Sequence, residues 1–170
     1  MLGENPGERG SPVMSNTPQK TGEIQGLAFI DPTPKWMKEY CQKVYSVLKL
    51  QVFTVNIHLV NRRTANRRLR KLNYETMSKF DLASAFVDPV YLTADIFITP
   101  PLINDSESRY LIFHEFLHIK FRYHTFDKVK LSLGVETRTD EAKLIRVEEE
   151  TCEAMLSVFE SLGAFSKAFV

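Results

Sequence analysis

Tyr110-Leu-Ile-Phe-His-Glu-Phe-Leu-His-Ile119 is an apolar run broken by two histidines and one glutamate, and its spacing governs how the rest of the chain is read. His114 and His118 are four positions apart. On a helix they stand one turn apart on a single face, with β-carbons about 6 Å from each other, so both imidazoles can reach one ion. Glu115 sits about 100° around the helix from His114, near enough to take a proton from metal-held water without itself being a ligand. Leu111, Ile112, Phe113, Phe116, Leu117 and Ile119 surround these groups. Desolvating two histidines and a glutamate in such company is costly unless they share a partner, and a metal ion supplies one.

The spacing therefore predicts a Zn2+ site of H-E-x-x-H type, with His114 and His118 as ligands and Glu115 as general base. Zinc would bring the pKa of its water toward about 7 and polarise a scissile carbonyl, while Glu115 would take the proton and pass it to the leaving amine. A catalytic zinc site ordinarily has three protein ligands, so one more donor is needed. His124 follows His118 by six residues, the metzincin spacing, but Phe121 stands where metzincins carry the glycine of a sharp turn. The other source is Arg146-Val-Glu-Glu-Glu-Thr-Cys-Glu153. At 100° per residue, Leu144, Val147, Thr151, Met155, Val158 and Leu162 form an apolar stripe, flanked by Ile145, Cys152 and Phe159. Glu148 lies near the centre of that surface, Glu149 at its edge, and Glu150 and Glu153 point away. A carboxylate in the middle of an apolar face is expensive unless it is paired or binds metal. Glu148 is the expected third ligand, with Glu149 in reserve and His124 as the further alternative.

Working outward, Trp36, Met37, Tyr40, Val44, Val47 and Leu48 recur at three- and four-residue steps, which predicts a core-facing helix over about 34–49, capped by Thr33 and opened by Pro34. Val52 to Val60 is β-branched and aromatic with partial alternation, hence a strand. Residues 61–73 carry six basic side chains, Arg62, Arg63, Arg67, Arg68, Arg70 and Lys71, and are expected to interrupt the sheet. Ala83–Val87 and Tyr91–Thr99 read as two strands joined by a turn at Asp88-Pro-Val90, with Pro100 and Pro101 ending the second. Ser106 or Ser108 caps a helix through Tyr123, and a last helix runs from about Asp140 to Leu162. Strands preceding a block of helices predict an α+β domain with a small three-stranded sheet.

The chain of 170 residues is 44% hydrophobic and 25% charged, which suits one globular domain. Residues 1–25 are rich in Gly, Pro, Ser, Asn and Thr and read as a disordered tail, leaving 26–170 as the domain. A net charge of +1 provides no global attraction to nucleic acid, anionic membranes or acidic substrates. Cys41 and Cys152 are too few for a disulfide framework or a four-cysteine metal cage. With no apolar segment of signal-peptide or membrane-spanning kind, a cytoplasmic protein is expected.

The arrangement resembles the small gluzincins, especially ImmA/IrrE-type peptidases and related short phage and bacterial metallopeptidases. The resemblance spans roughly 34–160 and rests on Ala85-Phe-Val-Asp-Pro-Val-Tyr-Leu-Thr-Ala-Asp-Ile96, His114-Glu-Phe-Leu-His118 and Val147-Glu-Glu-Glu-Thr-Cys-Glu-Ala154. It implies a zincin-like fold: an N-terminal helix, a small sheet, the H-E-x-x-H helix and a C-terminal glutamate helix. It also implies ligands at His114, His118 and Glu148, a base at Glu115, and hydrolysis of an intracellular protein or peptide. The Glu148-Glu-Glu-Thr-Cys-Glu-Ala-Met155 segment follows the family's E-x-E-A-x-x-F-A pattern only loosely. No helix-turn-helix module is evident, so a repressor-cleaving role does not carry over. The resemblance further implies that the strand matching Tyr91–Thr99 lines the cleft and pairs with substrate backbone. Tyr110, Tyr123 and His124 are candidates for stabilising an oxyanion.

Two other readings compete. The basic segment 62–71 could contact nucleic-acid phosphates, with binding that falls steeply in salt, although only Tyr74 is nearby for base stacking. Alternatively, the chain is a zincin-fold binding module that holds zinc without turnover.

Overall fold

Successive side chains of Thr93–Ile98 point to opposite layers, and this alternation organises the domain. The computed structural model describes residues 26–88, 90–100, 106–121 and 138–169. The expected tail, Tyr123 and His124 fall outside them. In chain order the elements are β1 (Leu27–Phe29), α1 (Lys35–Val47), β2 (Thr54–Leu59), α2 (Arg62–Lys71), β3 (Ala83–Asp88), β4 (Thr93–Ile98), α3 (Ser106–Phe121) and α4 (Arg138–Ser161), then a 3-10 turn at Lys167–Phe169. Among the described residues this is an α+β arrangement of four helices and one four-stranded sheet. No helix among them is long and apolar enough to cross a membrane.

The sheet order is β1-β2-β4-β3. β1 and β2 are parallel, as are β2 and β4, whereas β3 is antiparallel to β4 with Ala85 opposite Ile96. Ala94, Ile96 and Ile98 join Val55 and Ile57 in a core completed by α1, α3 and α4. Phe97 points the other way, into a smaller cluster with Ala65 and Leu69 of α2 and with Met77. Three helices thus cover one face of the sheet and α2 covers the other.

Four expectations need correction. The sheet has a fourth strand, β1, whose three residues are too few to display alternation. Residues 62–71 do not simply interrupt the sheet; they form a helix because Ala65 and Leu69 are one turn apart and bury against it. Thr33 does not cap α1; its hydroxyl donates to the carbonyl of Asp31, and Pro34 occupies the capping position. The strand within Tyr91–Thr99, β4, is paired on both sides and cannot accept another strand; β3 is the edge.

A polar network fastens α2 to the sheet. Arg68 donates to both carboxylate oxygens of Asp31, at 2.6 and 2.8 Å, and to Nδ1 of His58 at 3.0 Å. A guanidinium only donates, so Nδ1 must accept and Nε2 carries the proton given to Asp95 at 2.8 Å. The His58 ring stacks on Phe97 with centroids 4.2 Å apart. The hydrogen bond from Arg68 holds the Asp31 carboxyl below its ordinary value. Arg68→Met would strand Asp31 and His58 and is expected to cost about 1–3 kcal/mol at pH 7, measured by urea denaturation. A depressed folded-state pKa contributes stability above the unfolded value that is lost as pH falls through the folded one. The gap between variant and wild type should therefore narrow below about pH 4; a gap that widens in acid contradicts the assignment.

Candidate metal centre

α3 and α4 pack antiparallel, and their polar residues meet as rungs of a ladder: Tyr110 with Glu153, His114 with Glu149 and Glu153, His118 with Glu148 and Glu149. The helical four-residue repeat on each side produces this match. On α3 it aligns Tyr110, His114 and His118. On α4 it aligns Glu149 with Glu153, while Leu144, Glu148, Cys152 and Leu156 form the buried face.

The two Nε2 atoms of His114 and His118 lie 2.9 Å apart. Glu149 presents one carboxylate oxygen 3.2 Å from the first and the other 3.3 Å from the second. One donor atom from each of the three residues lies within 4.8 Å of the others. Tetrahedral ligands about 2.0–2.1 Å from zinc would stand about 3.3–3.4 Å apart, so this donor set fits an ion with shifts of a few tenths of an ångström. Glu148 is elsewhere. Its carboxylate has no exposed surface and accepts from Nδ1 of His118 at 2.7 Å, on the far side of the ring from Nε2. Glu149, the residue expected in reserve, faces the paired Nε2 atoms instead. His124 lies outside the described residues.

Two parts of the helical wheel are also corrected. Val147, Val158 and Leu162, expected on the buried stripe, are about half exposed or more; the buried face is turned toward Leu144, Cys152 and Leu156. Glu153, expected to point away, has Oε1 3.5 Å from Nδ1 of His114 and accepts from the Tyr110 hydroxyl at 2.6 Å. Each histidine therefore has a carboxylate beside its Nδ1, the kind of partner that fixes a tautomer and leaves Nε2 for metal. The hydroxyl of Tyr110 supports Glu153. The signal available in the sequence was the four-residue offset from Glu149 to Glu153, but it becomes meaningful only once the two helices are aligned.

Burial, followed by the nearby charge of His118, holds His114 below the ordinary imidazole value. Burial also acts against the charge on His118. There, however, the hydrogen bond to Glu148 and the charges of Glu115, Glu149 and Glu148 outweigh it and raise the pKa. Burial of the Tyr110 phenol, with the hydrogen bond to Glu153, pushes it up to about 12.

Glu115 leaves α3 on the side of β3, where the backbone N–H of Ala85 donates to it. It is 6% exposed, and burial pushes its carboxyl up to about 7. Ser84 and Ala85 of β3, His114, Glu115 and His118 of α3, and Ile145 and Glu149 of α4 line a cleft of about 350 Å³. No protein-family model, curated protein or solved structure matches this chain.

The position of Glu115 has a measurable consequence for the metal-free protein. A carboxyl whose pKa rises on folding, here from 4.5 to about 7, contributes stability that is complete below the unfolded value and lost as pH climbs through the folded one. Glu115→Gln keeps an acceptor for the Ala85 amide and cannot ionise. In EDTA it should be more stable than wild type at pH 8, by something on the order of 3 kcal/mol, and nearly equal at pH 4.5. Urea midpoints at the two pH values check this; equal midpoints at pH 8 would mean that Glu115 is not buried.

Proposed function

We propose that this chain is a metal-dependent peptidase of zincin-like, gluzincin type. His114, His118 and Glu149 would hold a divalent ion, with Glu115 as the general base. The observation that carries the reading is the meeting, in one cleft, of two imidazole Nε2 atoms and the Glu149 carboxylate with a second carboxylate, Glu115, held apart from them by the Ala85 amide. Two histidines and a carboxylate are a donor set common to hydrolytic zinc enzymes. When bound, zinc supplies Lewis acidity that activates water and polarises a carbonyl oxygen.

The residues of the chain divide the remaining tasks. Glu148 and Glu153 orient His118 and His114. Glu115, with a pKa of about 7, is suited to accept a proton from water and return it to the departing amine, since a base near the working pH is effective in both directions. β3 forms the sheet edge beside the cleft, and an extended peptide laid along it would gain backbone hydrogen bonds with little demand on its side chains. The substrate class supported by this geometry is an unfolded segment or peptide.

The test pairs metal analysis with proteolysis of an unfolded protein such as casein. Wild type should hold about one zinc per chain and cleave casein. Glu149→Ala should lose the metal, and Glu148→Gln should weaken zinc binding by about 10- to 100-fold, as removal of an outer-shell partner does. Glu115→Gln should keep the metal and lose activity by about 10²–10⁴-fold. Full zinc occupancy in wild type without cleavage, and no difference in Glu115→Gln, would instead identify a zinc-holding module without turnover.

A further inference from the structure

On the face of the sheet opposite the cleft, α2 presents a row of cations. Its inner side is committed: Ala65 and Leu69 are buried, Arg68 is bound to Asp31 and His58, and Arg62 donates to the carbonyl of Asp81. Arg63, Arg67, Arg70 and Lys71 remain on the outer side, all exposed. They recur at three- and four-residue steps and so form a single stripe about 12 Å long. Asn61, Arg63, Thr64, Arg67 and Arg70 line a shallow recess of about 450 Å³ along it.

The helix contains no acidic residue, and among the described residues none of these four cations is paired with a carboxylate. Like charges at these spacings repel one another, and arginines in the first turn also oppose the helix dipole. Nothing in the fold requires that concentration, because Ala65, Leu69, Arg62 and Arg68 already secure the helix to the rest of the domain.

We propose that this stripe binds the phosphodiester backbone of nucleic acid, independently of the cleft. Its length matches roughly three successive phosphates of one strand. Three of the four cations are arginines, whose planar forks meet phosphate oxygens in pairs. Tyr74, near the helix end, is packed on Phe86 with centroids 5.1 Å apart and is not free to stack on bases. Binding is therefore to backbone, without sequence preference. Since α3 and α4 lie across the sheet, bound nucleic acid leaves the cleft open.

Fluorescence anisotropy of the full chain with a labelled 20-nucleotide single-stranded DNA of mixed sequence tests this. Three to four phosphate contacts predict a loss of affinity of about twenty- to fifty-fold between 50 and 200 mM salt. In the triple variant Arg63→Gln, Arg67→Gln, Arg70→Gln the salt effect should shrink to about threefold, with affinity at 50 mM reduced at least tenfold. EDTA and Glu115→Gln should leave binding unchanged. If the triple variant melts below wild type, the single reversal Arg67→Glu must still weaken binding. The proposal is overturned by absence of binding at 50 mM, by equal binding in the variants, or by retention on phosphatidylserine vesicles with no binding to the oligonucleotide.

Discussion

The carboxylate of Glu148 lies wholly inside the protein, and the hydrogen bond from Nδ1 of His118 makes that burial tolerable. An ionised carboxylate sealed from water without a partner costs several kcal/mol, so α4 cannot rotate on its axis without exposing or orphaning this group. The rest of the centre follows from that constraint. With Nδ1 occupied, the Nε2 of His118 turns to the cleft, where it meets the Nε2 of His114. One position further along α4, and about 100° around it, Glu149 is brought opposite both nitrogens. A further turn delivers Glu153 to Nδ1 of His114 and to Tyr110. Each of these placements is an arithmetic consequence of the helical repeat once the first contact is fixed.

The sheet supplies the other wall. Because β4 is paired on both sides, its side chains can be devoted to the two cores, and β3 is left at the rim against α3. That rim is where the backbone of Ala85 meets Glu115. The same layering separates two electrostatic environments. Carboxylates and imidazoles are concentrated between α3 and α4, whereas the arginines of α2 lie across the sheet from them, anchored by Arg68 and Asp31. A chain whose formal charges nearly cancel, at +1, is thus locally polarised.

Much of this was legible in the sequence where the signal is local. The four-residue offset of His114 and His118 and the stripe from Met37 to Val44 each depend on a single helix, and the spans of α1, β2, β3 and β4 differ from expectation by only a few residues. The helical wheel also put Glu148 on the inward surface, in keeping with its lack of exposure. What the wheel cannot supply is rotation relative to a partner. An error of some tens of degrees exchanges Val147 for Leu156 on the buried face and turns Glu153 from solvent to His114. Sheet order is similarly non-local: no pattern within Tyr91–Thr99 distinguishes a central strand from an edge, and the three residues of β1 offer no period at all. The helical nature of residues 62–71 was masked by charge, because only Ala65 and Leu69 report the buried side.

Zinc K-edge X-ray absorption on the metal-loaded protein tests the centre most directly, since it counts ligands by type without relying on turnover. Two imidazoles at about 2.0–2.1 Å together with oxygen donors are predicted, as His114, His118 and Glu149 require. Three imidazoles would bring in His124 and contradict the role given to Glu149, and one imidazole or none would contradict the centre itself.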